Sequence, residues 1–139
     1  MDQKTDADDA LLNGLRVLVV DDEILIATDL GESFRDDGAE VLGPFTTLDT
    51  ALKAAEEEAV SVAILDYRLG RQTTEAVADI LLARKIPFLF CSGGNISEGL
   101  QARLPKGTIM LKPVRYHVLL ERVAGLTGRL RPSEAARPA

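Results

Sequence analysis

The sequence predicts an α/β fold in which helices cover both faces of a parallel β-sheet. Five short runs rich in Val, Leu and Ile alternate with longer stretches whose apolar residues recur every three or four positions. Apolar runs without polar interruption are typical of strands buried on both faces, and their alternation with helices indicates parallel pairing. Hydrophobic residues make up 46% of the 139 residues, which is enough for a single aliphatic core. We therefore expect one doubly wound domain.

The five predicted strands are defined by their apolar runs and by the residues that end them. The first run, L-R-V-L-V-V, stops at an acidic triplet, and the third, S-V-A-I-L, stops at Asp66. Pro44 and Phe45 are expected to break the second strand, whereas Pro87 lies at the entrance of the fourth, where a missing N–H does little harm. The predicted strands cover residues 15–20, 40–43, 61–65, 86–91 and 107–111.

Each predicted strand is followed by a predicted helix. Apolar residues three and four positions apart define the helical stripes. Threonines precede the second and third helices, where Thr46 or Thr47 and Thr73 or Thr74 can cap them. Gly99 interrupts the fourth helix, which we therefore expect to be short and mobile. The predicted helices cover residues 24–37, 48–58, 76–81, 96–104 and 114–124.

The predicted domain spans residues 15–126 and is flanked by polar tails. Residues 1–14 are rich in Asp and are expected to be disordered, and residues 127–139 are rich in Arg and Pro and are expected to be flexible. Only about 14 residues follow Gly125, too few for a second folded unit. We expect a stand-alone domain.

Composition and charge exclude several classes of function. A formal charge of −6 and the lack of a Lys/Arg cluster with interleaved aromatics argue against nucleic-acid binding. No apolar run approaches the roughly 18 residues of a membrane span, and the acidic N-terminus is no signal peptide. Cys91 is the only cysteine, which fits a reducing compartment. We expect a soluble, cytoplasmic protein without membrane or nucleic-acid partners.

Polar side chains stand at the carboxyl ends of four predicted strands. Asp21 and Asp22 follow the first strand, Asp66 the third, Ser92 the fourth and Lys112 the fifth. Because the carboxyl ends of parallel strands lie at one edge of the sheet, we expect these residues to converge. Carboxylates held together repel unless a cation lies among them, and Mg²⁺ with oxygen ligands is the natural cation. A metal, an ammonium group, a hydroxyl and a free carboxylate suit phosphoryl transfer to a carboxylate.

Four motifs resemble the receiver domain of bacterial two-component response regulators. They are V-L-V-V-D-D-E, A-I-L-D-Y-R-L-G, F-C-S-G-G and L-K-P, and they occur in receiver-like order and spacing between about residues 15 and 125. The resemblance implies a flavodoxin-like (βα)5 fold with strand order 2-1-3-4-5. It also implies a phosphoprotein of a phosphorelay in signal transduction.

The resemblance implies a role for each matching residue at the phosphoryl site. Asp66 would be the phosphoacceptor, Ser92 would bind the phosphoryl group, and Lys112 would pair with it. The peptide bond between Lys112 and Pro113 would be cis.

The resemblance also implies a ligand set for Mg²⁺. Asp22, Asp66 and the backbone carbonyl of Arg68 would bind the ion directly. Asp21 would act largely through water.

The segment after the fourth strand resembles a subclass of single-domain receivers with the sequence Phe-Ala-Thr-Gly-x-Tyr. The chain has Phe-Cys-Ser-Gly-Gly-Asn at 90–95, so Asn95 replaces the tyrosine. Gly93 and Gly94 are expected to provide turn geometry and access to the acyl phosphate. Most receivers carry an aromatic three residues before the lysine, whereas Ile109 occupies that position. We therefore expect the signal to leave through residues 93–104.

These observations lead to one main functional expectation and two alternatives. The chain would accept a phosphoryl group from a sensor histidine kinase or a histidine phosphotransfer protein. It would then bind a downstream protein or act as a phosphate sink, catalysing its own phosphorylation and dephosphorylation without being a metabolic enzyme. One alternative is a receiver-like binding module that is not phosphorylated. The other is a Mg²⁺-dependent hydrolase of the haloacid dehalogenase type, which needs an Asp where Arg68 stands.

Overall fold

The computed structural model describes residues 10–94 and 96–129, which contain seven strands and five helices. The strands are β1 (Arg16–Val20), β2 (Glu40–Phe45), β3 (Val62–Asp66), β4 (Arg68–Leu69), β5 (Gln72–Thr73), β6 (Phe88–Ser92) and β7 (Ile109–Leu111). The helices are α1 (Ile24–Asp36), α2 (Leu48–Glu57), α3 (Glu75–Ala83), α4 (Glu98–Arg103) and α5 (Tyr116–Leu126).

Five of the strands form one parallel sheet in the order β2-β1-β3-β6-β7. Without the short antiparallel pair β4–β5, this order is the predicted 2-1-3-4-5, so the predicted fold class is confirmed. The strand β3, which carries Asp66, lies in the middle of the sheet between β1 and β6.

The sheet separates two apolar cores because alternate residues of a strand point to opposite faces. Leu18, Leu65 and Phe90 face the core closed by α2, α3 and α4. Val19, Ile64 and Leu89 face the core closed by α1 and α5. Residues of β1, β3 and β6 are buried on both faces, as expected from their uninterrupted apolar runs.

The structure corrects the prediction at β2 and at the loop after Asp66. β2 continues through Pro44 and Phe45, with a register shift opposite β1. A proline is tolerated there because β2 is an edge strand. The segment after Asp66, where no strand was predicted, contains the hairpin β4–β5.

Residues 10–14 belong to the domain rather than to a tail. They form a turn in which Leu12 is fully buried, and the Leu12 N–H donates to the Asp37 carbonyl at 2.8 Å. Of the predicted tails at 1–14 and 127–139, residues 1–9 and 130–139 lie outside the described residues. Among the helices of the described ranges, none is long and apolar enough to cross a membrane.

Candidate functional site

Three carboxylates meet at the carboxyl edge of the sheet. Asp66 is the last residue of β3, and Asp21 and Asp22 directly follow the neighbouring strand β1. One oxygen from each carboxylate lies within 4.8 Å of the others. The predicted convergence of these acids is therefore found in the structure.

Backbone N–H groups hold the two acids that follow β1. Asp21 Oδ1 accepts a hydrogen bond from the Glu23 N–H at 2.9 Å, at the entrance of α1. Asp22 Oδ2 accepts one from the Gly70 N–H at 2.8 Å, at the tip of the hairpin. Gly70 has φ +60°, a left-handed conformation that glycine adopts without strain. The hairpin after Asp66 therefore orients an acid that belongs to another strand.

Lys112 brings the positive charge into the acid cluster. Its Nζ lies 3.3 Å from Asp66 Oδ2 and 3.6 Å from Asp21 Oδ2. It also lies 3.3 Å from Glu23 Oε1, an acid that sequence reasoning left out although it completes the Asp-Asp-Glu run. Burial acts to lower the pKa of Lys112, but the charges of Asp21 and Asp66 outweigh it and raise that pKa above its ordinary value. The Lys112 side chain is therefore protonated and positively charged at neutral pH.

The Asp66 carboxyl is electrostatically strained without a metal ion. Burial and the nearby charge of Asp21 raise the pKa of Asp66 to about 6, although Lys112 acts to lower it. A cation among three carboxylates would reverse this rise. Oxygen ligands in this number fit Mg²⁺, which uses few protein ligands and keeps several waters.

An apolar cavity of about 410 Å³ lies on one side of the acids. Ile26 and Leu30 of α1 and Leu119 of α5 line it, and Asp66 and Lys112 stand at its edge. Its apolar wall keeps water from part of Asp66, which explains why burial is the largest cause of the raised pKa.

Ser92 ends β6 beside the acid cluster and is 5% exposed. Its hydroxyl donates to the Gly94 carbonyl at 3.1 Å and accepts from the Gly94 N–H at 3.2 Å. A Cβ added at Gly93 or Gly94 would meet no atom within 4 Å, so this turn is open to solvent. The Lys112 N–H donates to the Ser92 carbonyl at 2.8 Å, and the Lys112–Pro113 bond is cis, as the resemblance implied.

Two other predicted positions, Arg68 and Ile109, lie on β4 and β7. Arg68 is in β4 and exposed, and its guanidinium lies 5.8 Å from the centroid of the Tyr67 ring. Ile109 begins β7 opposite Phe90 and is half-buried, so no aromatic side chain occupies this place. Asn95, the remaining residue of the subclass comparison, lies outside the described residues.

Thr74 supports the end of β3, a role that sequence reasoning missed. Thr74 stands at the N-cap of α3, as predicted, but its hydroxyl makes no cap hydrogen bond. The hydroxyl donates instead to the Asp66 carbonyl at 2.8 Å and, at 3.3 Å, to the Tyr67 carbonyl. The residue is fully buried. No local sequence signal points to this bond, because Thr74 lies eight residues after Asp66 and threonine favours the N-cap position.

Comparison with known proteins identifies the fold. No family model matches the chain. The chain is 27% identical over 130 residues to the transcriptional regulatory protein PdtaR of Mycobacterium tuberculosis, covering 91% of this chain and 62% of PdtaR. A response regulator receiver protein from Sinorhizobium medicae WSM419 superposes with a TM-score of 0.73 at 21% identity, covering 82% of this chain and 94% of that one. A CheY-like receiver domain protein from Methanospirillum hungatei JF-1 gives 0.73 at 22% identity, covering 83% and 95%.

These similarities define the class of the domain. The chain has the fold of a response regulator receiver domain, which confirms the resemblance inferred from the four motifs. It spans 62% of the length of the curated relative that it matches. The narrower resemblance to the Phe-Ala-Thr-Gly-x-Tyr subclass stays a prediction.

Proposed function

We propose that the chain is a receiver that accepts a phosphoryl group on Asp66 in a Mg²⁺-dependent reaction. The observation that carries this proposal is the convergence of Asp66 with two further carboxylates and with Lys112 at one edge of the sheet. A nucleophilic carboxylate beside an ammonium group and a cation site is suited to phosphoryl transfer.

Each charged group has a place in the proposed reaction. A carboxylate oxygen of Asp66 attacks the phosphorus of a phosphohistidine, the phosphorus–nitrogen bond breaks, and the departing imidazole nitrogen keeps the electron pair. Lys112 stabilises the charge on the phosphoryl oxygens from its position 3.3 Å from Asp66. Ser92 turns its hydroxyl from Gly94 towards a phosphoryl oxygen.

The acid cluster provides ligands for the metal ion. Asp21, Asp22, Asp66 and the Arg68 carbonyl would hold Mg²⁺, with Asp21 acting largely through water. A bound Mg²⁺ supplies positive charge that neutralises the transferred phosphoryl group. The Gly70 N–H keeps Asp22 oriented for this purpose.

The proposed partners are a sensor histidine kinase or a histidine phosphotransfer protein. In its phosphorylated form the chain would bind a downstream protein or drain phosphate from a branched relay. In this proposal it is a signalling component rather than a metabolic enzyme. The hydrolase alternative has no support at position 68, where an exposed Arg replaces the required acid.

The test is covalent labelling of Asp66. The protein is incubated with Mg²⁺ and acetyl phosphate as the chemical donor, and acid-labile phosphate is measured by intact mass. The wild type should gain one phosphoryl group, Asp66→Asn none, and the control Asp49→Asn, altered at an exposed position in α2, should behave as the wild type. Equal labelling of Asp66→Asn would disprove the assignment of the nucleophile. A wild type that stays unlabelled and does not respond to beryllofluoride with Mg²⁺ would favour the non-phosphorylated binding module.

A further inference from the structure

Tyr67 connects the phosphoacceptor to the segment that follows β6. It directly follows Asp66 and is 4% exposed. Its ring packs edge-on against Phe90, with centroids 5.6 Å apart. It shares an apolar cluster with Ile96 and Leu100, which belong to the segment of residues 96–104 that contains α4. The Tyr67 ring therefore lies between the end of β3 and α4.

The Tyr67 hydroxyl anchors its ring to the start of α3. It donates to Glu75 Oε2 in the first turn of α3, at 2.5 Å. The start of α4 meets the same ring through the apolar cluster that contains Ile96 and Leu100. The hydroxyl therefore fixes the orientation of a ring that packs at the entrance of α4.

The Tyr67 ring also shares its face of the sheet with Ser92. Ser92 lies two residues after Phe90 on β6, so the two side chains point to the same face. The Ser92 hydroxyl holds the turn before the 96–104 segment through two hydrogen bonds to Gly94. A hydroxyl that turns to a phosphoryl group on Asp66 gives up both bonds. The turn then loses both hydrogen bonds, and the segment that follows it still shares the apolar cluster around Tyr67.

We propose that Tyr67 couples the phosphorylation state of Asp66 to the position of the 96–104 segment, in place of an aromatic residue at position 109. This inference rests on the proposed phosphorylation of Asp66. Before phosphorylation, the Tyr67–Glu75 hydrogen bond keeps the Tyr67 ring in the apolar cluster that it shares with Ile96 and Leu100. After phosphorylation, the released turn lets the segment move away from Tyr67 and present a different surface.

The test uses beryllofluoride with Mg²⁺ as the probe and amide NMR as the readout. In the wild type, beryllofluoride should shift the amides near Asp66 and those of residues 96–104. In Tyr67→Phe, which keeps the packed ring and removes the hydroxyl, the shifts near Asp66 should persist. The shifts at 96–104 should fall at least threefold, because the segment is already released. Amides of 96–104 should also exchange about tenfold faster in unmodified Tyr67→Phe, as expected for loss of a hydrogen bond to a charged acceptor.

The chain provides a matched control. Tyr116 is the other tyrosine, and its hydroxyl also donates to a carboxylate, Asp37 Oδ2 at 2.7 Å, on the opposite face of the sheet. Tyr116→Phe should leave the response at 96–104 unchanged. Glu75→Ala should reproduce Tyr67→Phe, whereas Glu75→Gln, which keeps an acceptor oxygen, should respond like the wild type.

The outcomes separate this inference from the proposed function. Amides near Asp66 that ignore beryllofluoride in the wild type would overturn the phosphoacceptor assignment itself. If those amides respond, a wild-type 96–104 segment that stays still would overturn the coupling role alone. The same conclusion follows if the 96–104 segment moves equally in the wild type, Tyr67→Phe and Glu75→Ala.

Discussion

Removing the charge of Asp66 should stabilise the metal-free protein at neutral pH. In the folded state the pKa of Asp66 is raised from 3.8 to about 6, chiefly by burial and by the charge of Asp21. A raised pKa means that folding favours the protonated form. Asp66 therefore contributes stability below about pH 4, and this contribution is lost as the pH rises through 6. Asp66→Asn, which is neutral at every pH, does not undergo this loss.

The magnitude follows from the two pKa values. At about 1.4 kcal/mol per pH unit, a rise from 3.8 to about 6 corresponds to about 3 kcal/mol. The side chain is only 12% exposed, so solvent screens little of this effect. About 0.5 kcal/mol of this is already lost at pH 4, so the free energy of unfolding of Asp66→Asn minus that of the wild type should increase by about 2.5 kcal/mol between pH 4 and pH 7.5. With a urea m-value of about 2 kcal/mol/M, the midpoint difference should grow by about 1.2 M.

The assay is urea denaturation followed by circular dichroism at several pH values in EDTA. Saturating Mg²⁺ at pH 7.5 should reduce the gap, because the ion stabilises the folded wild type and binds the variant less well. Asp49→Asn is the control and should show a pH-independent difference from the wild type. A difference between Asp66→Asn and the wild type that stays constant from pH 4 to pH 7.5 would refute the argument that Asp66 is strained in the folded protein.

Two further predictions concern buried polar groups near the site. Thr74→Val keeps the shape of the side chain but removes the hydroxyl that donates to the Asp66 carbonyl, so the free energy of unfolding measured in urea should fall by about 1 kcal/mol. Thr74→Ser, which keeps the hydroxyl, should retain most of the wild-type stability. A Thr74→Val variant as stable as the wild type would contradict the support role. Burial raises the pKa of the Cys91 thiol to about 12. A thiol-reactive dye at pH 8 should therefore modify Cys91 in the native protein at least a hundredfold more slowly than in the urea-unfolded chain. Rapid labelling of the native protein would contradict this burial.

The sequence was sufficient to predict that Asp21, Asp22 and Asp66 converge, but it did not point to Glu23 beside Lys112. Asp21 and Asp66 each end a run of apolar residues, and parallel strands bring their carboxyl ends to one edge, so residues far apart in sequence become neighbours. The position of Lys112 beside these acids follows from the same rule, because it directly follows β7. The meeting of these charged groups at one edge could therefore be inferred from the residues that end the parallel strands.

The links between neighbouring segments could not be predicted in the same way. The hairpin β4–β5 pairs only two residues on each side, too few for a periodic pattern to reveal. The Gly70 N–H bond to Asp22 depends on where the tip of that hairpin lies, which the sequence does not encode locally. Thr74 was expected to cap a helix because threonine favours that position, but two carbonyls at the end of β3 compete successfully for its hydroxyl.

The strain on Asp66 and its proposed function have one physical origin. Three carboxylates beside an apolar wall cost folding free energy, and one lysine does not offset that cost, since the pKa of Asp66 stays near 6. A cation that relieves this repulsion would therefore bind with a favourable free energy. Replacing Asp66 by a neutral residue should make the metal-free protein more stable, but it would also remove the proposed nucleophile. A carboxylate at this position therefore fits a function of Asp66 better than a role in stability.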